Sequence, residues 1–255
     1  MREQLYKYGL SGFVLTSAMV LAFSGKPPQV EPMPSPSILP VPSPSQSSSP
    51  DVSLSPCAKY NWKDRGRAPL SYIKGVLEVY KQHACDKPRA LKSGNVDALA
   101  YYGKEASIVN QYTLLMGLGM RESSGKHCVG RDMSAGWSAS HTAETGLYQF
   151  SAQTLATDPE LKAIYAKYKA NPSLCLLETF SKGVSCSAGD AKTWGDGAMG
   201  REFQQFTKAC PAFATEYGAL LIRLLRKHFG PLGTQKAEFN ESCKQLLLSV
   251  KGDCK

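Results

Sequence analysis

Glu122 is the residue whose position most strongly suggests chemistry. It closes an apolar run, Leu114-Leu-Met-Gly-Leu-Gly-Met120, that reads as a buried helix stopping at Ser123-Ser-Gly125. An acid in the last turn faces the negative end of the helix dipole, where carboxylates are disfavoured. Partial desolvation adds to that field, and both raise the proton affinity of the carboxyl. A carboxylic acid held protonated near neutrality can give its proton to a leaving group, the work of a general acid. The competing reading is an exposed Glu at a frayed helix end.

Two further acids follow: Asp132 in Gly130-Arg-Asp132, and Glu144 in Ala143-Glu-Thr-Gly-Leu-Tyr-Gln-Phe-Ser151. Either could act as a base beside the acid, or be a solvated loop carboxylate. The order of the two stretches resembles the active site of the goose-type lysozyme and soluble lytic transglycosylase superfamily. There a Glu-Ser ends a buried helix, a short hairpin follows, and Gly-Leu-Met-Gln opens the next helix. Arg121-Glu-Ser-Ser-Gly125 and Gly146-Leu-Tyr-Gln149 match that order, with Tyr148 where the family has Met.

The resemblance covers residues 108–155. It implies a mainly α, lysozyme-like domain with a small β-hairpin bordering a cleft, and cleavage of peptidoglycan between N-acetylmuramic acid and N-acetylglucosamine. It implies Glu122 as the acid, and Ser123, Gly146, Leu147, Tyr148 and Gln149 beside the sugar. Tyr148 and Trp137 are candidates to stack on sugar rings. The family's Ala-Tyr-Asn-Ala-Gly motif is absent, and Tyr217 is the nearest candidate for its Tyr. The two aspartates of the goose-type enzymes fall on Ser140 and Ser151, so Glu144 or Asp132 substitutes, or no base exists. With a base, the products are hydrated and the protein is a muramidase. Without one, the expected chemistry is a lytic transglycosylase giving anhydro-muramic ends. The Tyr148 substitution suggests altered acetyl recognition, with de-N-acetylated glycan accepted. No metal and no cofactor is required.

The rest of the chain is compatible with export. Residues 1–24 read as a secretory signal peptide: Arg2 and Lys7, then an apolar stretch from Gly9 to Phe23, then Ala22-Phe-Ser24 as a cleavage site. Residues 25–56 read as a linker, because 26–56 hold ten of the sixteen prolines and nine serines and cannot build a core. Residues 57–255 form the expected catalytic domain. The net charge is +9, or +8 without residues 1–24, which suits a polyanionic wall. The lysines are scattered and no nucleic-acid motif is present, so nucleic acid is not expected as a partner. After loss of the leader no membrane insertion is expected, and the product is a secreted or periplasmic monomer acting on glycan strands.

Eight cysteines, at 57, 85, 128, 175, 186, 210, 243 and 254, suit disulfides in an exported chain. Their pairing is open; Cys57–Cys254, closing the two ends, is one guess. Zinc spacing of the Cys-x-x-Cys type is missing. Two other classes remain in view. One is a cysteine hydrolase pairing Cys128 with His127 or His141, which needs a free thiol. The other is a non-catalytic wall-binding module. A serine hydrolase lacks its Gly-x-Ser-x-Gly turn.

Helices must position these groups. The pattern predicts one from Pro69 past Tyr80, one over Asn95–Tyr102, and the central one over Ser107–Glu122. Residues 126–145 read as a hairpin or loop, and Ser151 as the cap of a short helix. Asp158-Pro-Glu opens a helix to Lys169, and Asn171-Pro-Ser another to Gly183. Residues 184–200 read as a glycine-rich loop. Helices are then expected over Pro211–Phe229 and 235–250.

Overall fold

The computed structural model describes residues 51–130 and 139–250. Its helices, in order, are α1 (Pro56–Lys59), α2 (Leu70–His83), α3 (Ile108–Ser123), α4 (Pro159–Ala170), α5 (Ala188–Ala191), α6 (Ala198–Ala209), α7 (Pro211–Leu224), α8 (Gly230–Gly233) and α9 (Glu241–Ser249). Short 3-10 turns join several of them. The domain is mainly α with one small antiparallel ladder, β1 (Asn61–Trp62) against β2 (Gly66–Arg67), in the register Asn61↔Arg67 and Trp62↔Gly66. No helix among the described residues is long and apolar enough to cross a membrane.

Helix α3 is the axis. The Ser107 side chain accepts a hydrogen bond from the Asn110 N–H and starts it. Every residue from Asn110 to Met120 is buried, and the stretch Leu114–Met120 is apolar on all sides, as expected of a helix at the centre of a core. Helices α2, α7 and α9 pack around it. Gly119 is what lets two tyrosines approach: a Cβ there would lie 2.9 Å from Tyr148 Cε1 and would also collide with the Tyr72 hydroxyl. Tyr72 instead donates to the Met116 carbonyl at 2.9 Å. The helix ends where Ser124 turns left-handed, with its N–H on Met120 O and the Gly125 N–H on Gly119 O. This stop leaves Glu122 in the last turn, as its sequence context predicts.

Beyond α3, an aromatic cluster joins α4, α6 and α7. Tyr165, Phe203, Phe206, Phe213 and Tyr217 meet with ring centroids between 5.0 Å and 6.0 Å apart. Disulfides tie the periphery: Cys57–Cys243 joins α1 to α9, Cys128–Cys186 ties the segment after α3 to the one before α5, and Cys175–Cys210 holds the start of α7. Cys85 is also in a disulfide, and no described cysteine is free.

Several expectations need correcting. Cys57 does not pair with Cys254; α1 packs on α9, which brings the Cα of Cys243 within 4.6 Å of that of Cys57. The described ladder is at 61–67, where Asp64 and Gly66 adopt the positive φ a tight turn needs; 126–145 carried the expectation of a hairpin or loop. The described parts of 126–145 hold turns and isolated bridges, and 131–138 lie outside the described residues. The helix expected after Asn171 is two 3-10 turns, Pro172–Cys175 and Glu178–Phe180. Helix α6 has no counterpart in the sequence expectation, which put 184–200 wholly in a loop.

Helix α7 stops at Leu224, short of Phe229, because a tertiary strap captures its end. The Asn95 amide donates to Leu224 O at 2.7 Å, and the Val96 N–H reaches Leu225 O at 3.4 Å. This ending leaves residues 225–229 as an irregular segment beside α3 and α8.

Candidate functional site

The end of α3, the segment 144–157 and the α7–α8 connection enclose a cleft of ≈ 520 Å³. Leu118 and Glu122 come from α3. Glu144, Gln149, Ser151, Gln153 and Thr154 come from the segment 144–157, and Lys227, His228 and Phe229 from the connection. The floor is apolar, from Leu221, Ile222, Leu225 and Leu232.

Glu122 is half-buried, and its carboxyl is pushed up to about 7. Burial is the main cause, the negative charge of Glu144 adds to it, and Arg65 and Arg121 pull the other way. A group with that proton affinity exists in both forms near neutrality and can give or take a proton there. Glu144 lines the same cleft but is exposed. Two carboxyls therefore share one cleft in different surroundings.

The β1–β2 turn flanks this helix end. Arg65 sits in it close enough to act on the Glu122 carboxyl, and Arg121 approaches Asp64 at 3.9 Å. The turn is held from beneath by Glu238, which accepts from the Lys63 N–H at 2.7 Å and the Tyr60 hydroxyl at 2.8 Å.

Gly146–Gln149 is a turn closed by the Thr145↔Phe150 bridge rather than a helix start. Gly146 needs its φ of +77°, and Gln149 also has a positive φ, +52°. The Gly146 N–H donates to Val129 O at 2.8 Å, and the Gln149 amide donates to Gly146 O at 3.0 Å and Gly130 O at 3.2 Å. The Gln149 amide thus fastens the turn to the segment after α3 while its side chain lines the cleft.

The remaining candidates divide between cleft and core. Tyr148 borders the cleft, but its ring is only 1% exposed and stacks on Phe150. Its hydroxyl turns inward, toward those of Tyr72 and Thr215. A ring so buried offers no face for sugar stacking. Ser123 is buried, donating to Gly119 O at 2.9 Å. Gly146 and Leu147 are buried behind the cleft. Tyr217 is fully buried; its hydroxyl donates to Thr154 Oγ1 at 2.7 Å, and Thr154 in turn donates to Ser151 O at 2.6 Å. Tyr217 therefore supports the cleft wall through Thr154. Asp132 and Trp137 lie outside the described residues.

Cys128 is bonded to Cys186, so it has no thiol to act as a nucleophile. The neighbouring His127 packs its ring edge-on against Phe180, and burial lowers its proton affinity to about 4. Among the described residues, no group of three or more His, Cys, Asp or Glu gathers as a metal ion would need.

Sequence reasoning missed Arg65, Gln153, Thr154, His228 and Phe229. No local signal marks them: Arg65 sits in the turn of a ladder with two residues per strand, and His228 and Phe229 read as the end of a helix that in fact stops earlier.

The chain matches no protein-family model, no curated protein and no solved structure.

Proposed function

We propose that the protein is an exported peptidoglycan glycosidase, acting between N-acetylmuramic acid and N-acetylglucosamine with Glu122 as general acid. One observation carries this reading: a half-buried carboxyl, raised to about 7, at the end of the central helix and facing a cleft that holds a second carboxylate. Cutting a glycosidic bond needs a proton on the leaving oxygen, and a carboxyl raised to about 7 keeps a protonated fraction near neutrality to supply it. Glu144, exposed and in the same cleft, is suited to hold a water for hydrolysis with inversion. The resemblance to goose-type lysozymes supports the reading through Arg121-Glu-Ser-Ser-Gly125 and Gly146-Leu-Tyr-Gln149. The net positive charge and the disulfides suit an extracytoplasmic wall as the place of action.

The test is product analysis by mass spectrometry after digestion of purified walls, in acetylated and de-N-acetylated forms. Reducing, hydrated muramic ends are expected, and they vanish with Glu122→Gln. Anhydro ends would identify a lytic transglycosylase, and wall binding without any cleavage would identify a binding module.

A further inference from the structure

The cleft does not end at Phe229. A second hollow of ≈ 800 Å³ shares Thr157, Leu225, Lys227 and Phe229 with it and is completed by the segment 94–96, Tyr101 and Arg226. We propose that this hollow is a second binding segment for a carboxylated glycan strand, with Phe229 stacking on a sugar ring and Arg226 and Lys227 binding the strand's carboxylates. The proposal rests on the glycosidase reading of the Glu122 cleft.

Phe229 is the most exposed large apolar side chain among the described residues, at 73%. Its backbone is nonetheless firmly held. On one side His228 is buried, with Nε2 2.8 Å from the Val96 carbonyl and its ring edge-on to Tyr101. With Nε2 donating to that carbonyl, His228 anchors the segment. The extended backbone at Phe229 then puts neighbouring side chains on opposite faces, His228 inward and Lys227 and Phe229 outward. The Asn95 amide and the Val96 N–H fix the carbonyls just before. A rigidly mounted, solvent-facing aromatic ring is a poor solution for stability and a good platform for a flat apolar ligand face.

The charges are one-sided. Arg226 lies against Gly94, with Nε 3.7 Å from where a Cβ of that residue would stand, and Lys227 Nζ is 5.3 Å from the Phe229 ring centre. Neither is in an ion pair among the described residues, and no acid among them lines the hollow. Ring and cations together match a polymer that alternates apolar sugar faces with carboxylates, as glycan strands bearing lactyl groups do. Continuity with the Glu122 cleft allows one strand to occupy both hollows.

The test uses the full chain carrying Glu122→Gln, so that binding is read without cleavage. Two probes are prepared from one wall: strands freed of peptide by an amidase, and the same strands with their carboxylates capped as methyl amides. Adding Phe229→Ala should weaken binding of both probes at least tenfold by calorimetry. Adding Arg226→Gln with Lys227→Gln should weaken only the uncapped strands to that extent. Binding of uncapped strands within twofold of the parent after Phe229→Ala overturns the proposal, as does a single-stranded oligonucleotide binding as tightly and with the same Phe229 dependence. Equal loss of capped and uncapped strands in the Arg226/Lys227 variant overturns the carboxylate assignment. Strand binding through Phe229 without any cleavage by the unmodified protein would instead defeat the glycosidase reading and leave this surface standing.

Discussion

Glu122 and Glu144 line one cleft, and the charge of Glu144 adds to burial in holding the Glu122 carboxyl protonated up to about pH 7. Arg65 and Arg121 oppose this, so the proton affinity of Glu122 is a balance that single substitutions can tip.

That balance predicts a pH profile. If Glu122 is the acid, kcat/KM on wall falls as pH rises through about 7. Glu144→Gln removes a negative neighbour and should move this alkaline limb to lower pH. Arg65→Gln removes a positive one and should move it to higher pH. Opposite displacements in rate profiles of the two variants are the expected result; a common direction would contradict the electrostatic assignment.

Glu122→Gln should abolish cleavage while leaving the fold intact, because the amide cannot donate a proton usefully. It should also stabilise the protein at alkaline pH. The folded-state proton affinity of Glu122 is raised, so its stabilising contribution is complete below its ordinary 4.5 and is lost as pH rises through about 7. At about 1.4 kcal/mol for each tenfold in proton affinity, the loss by pH 8 is roughly 3 kcal/mol. Denaturant melts of parent and variant at pH 4 and pH 8 should therefore diverge only at the higher pH.

The role of Glu144 is separable from that of Asp132, the other acid the sequence offers as a base. Glu144→Gln should slow hydrolysis far more than Asp132→Asn. Parity between the two variants, or products that remain hydrated at full rate in Glu144→Gln, would remove Glu144 as the water-holding base.

A second titrating cluster lies at the junction of α2, α4 and α7. Burial tends to raise the Glu216 carboxyl, but hydrogen bonds from His83 and Tyr168 and the charge of Lys167 outweigh it and hold it down to about 2. His83 is raised, first by Glu216 and further by Asp86, against its own burial. Glu216 contributes stability above its ordinary 4.5 and loses it as pH falls through about 2. His83 contributes below its ordinary 6.5 and loses it as pH rises through its raised value. Both contributions are complete between those ordinary values. His83→Gln should therefore flatten the decline in stability on the alkaline side, read by thermal melts from pH 5 to 9.

The disulfides should resist alkylation in the native, unreduced protein. Replacing Cys57 and Cys243 by Ala should destabilise the domain by roughly 2–5 kcal/mol, because among the described bridges this one closes the longest loop, with a sequence separation of 186. Modification of a described cysteine without reductant would contradict the pairing.

The sequence alone determined the centre of this protein and little of its rim. Helix α3, from about Ser107 to its stop after Glu122, is legible because a solid apolar run and a following Ser-Ser-Gly are local signals. The Asp158-Pro-Glu start of α4 was legible for the same reason. The turn at Gly146–Gln149 was read as a helix start, because nothing local reveals the bridge from Thr145 to Phe150 or the amide bonds of Gln149 to Gly130 and Gly146.

Only the tertiary structure decided which side chains face the cleft. Tyr148 and Tyr217, sensible sugar ligands by type, are taken into the core by Tyr72, Phe150 and Thr154, since large aromatic rings are stabilised most by full burial. Phe229, which a longer α7 would have made an ordinary helix residue, is exposed because Asn95, Val96 and His228 strap the chain at long range. Cys57 meets Cys243 rather than Cys254 because helix packing, not position in the chain, sets which cysteines come within bonding distance. Local signals specify where a helix begins and ends; which of its faces meets a ligand depends on contacts between residues far apart in sequence.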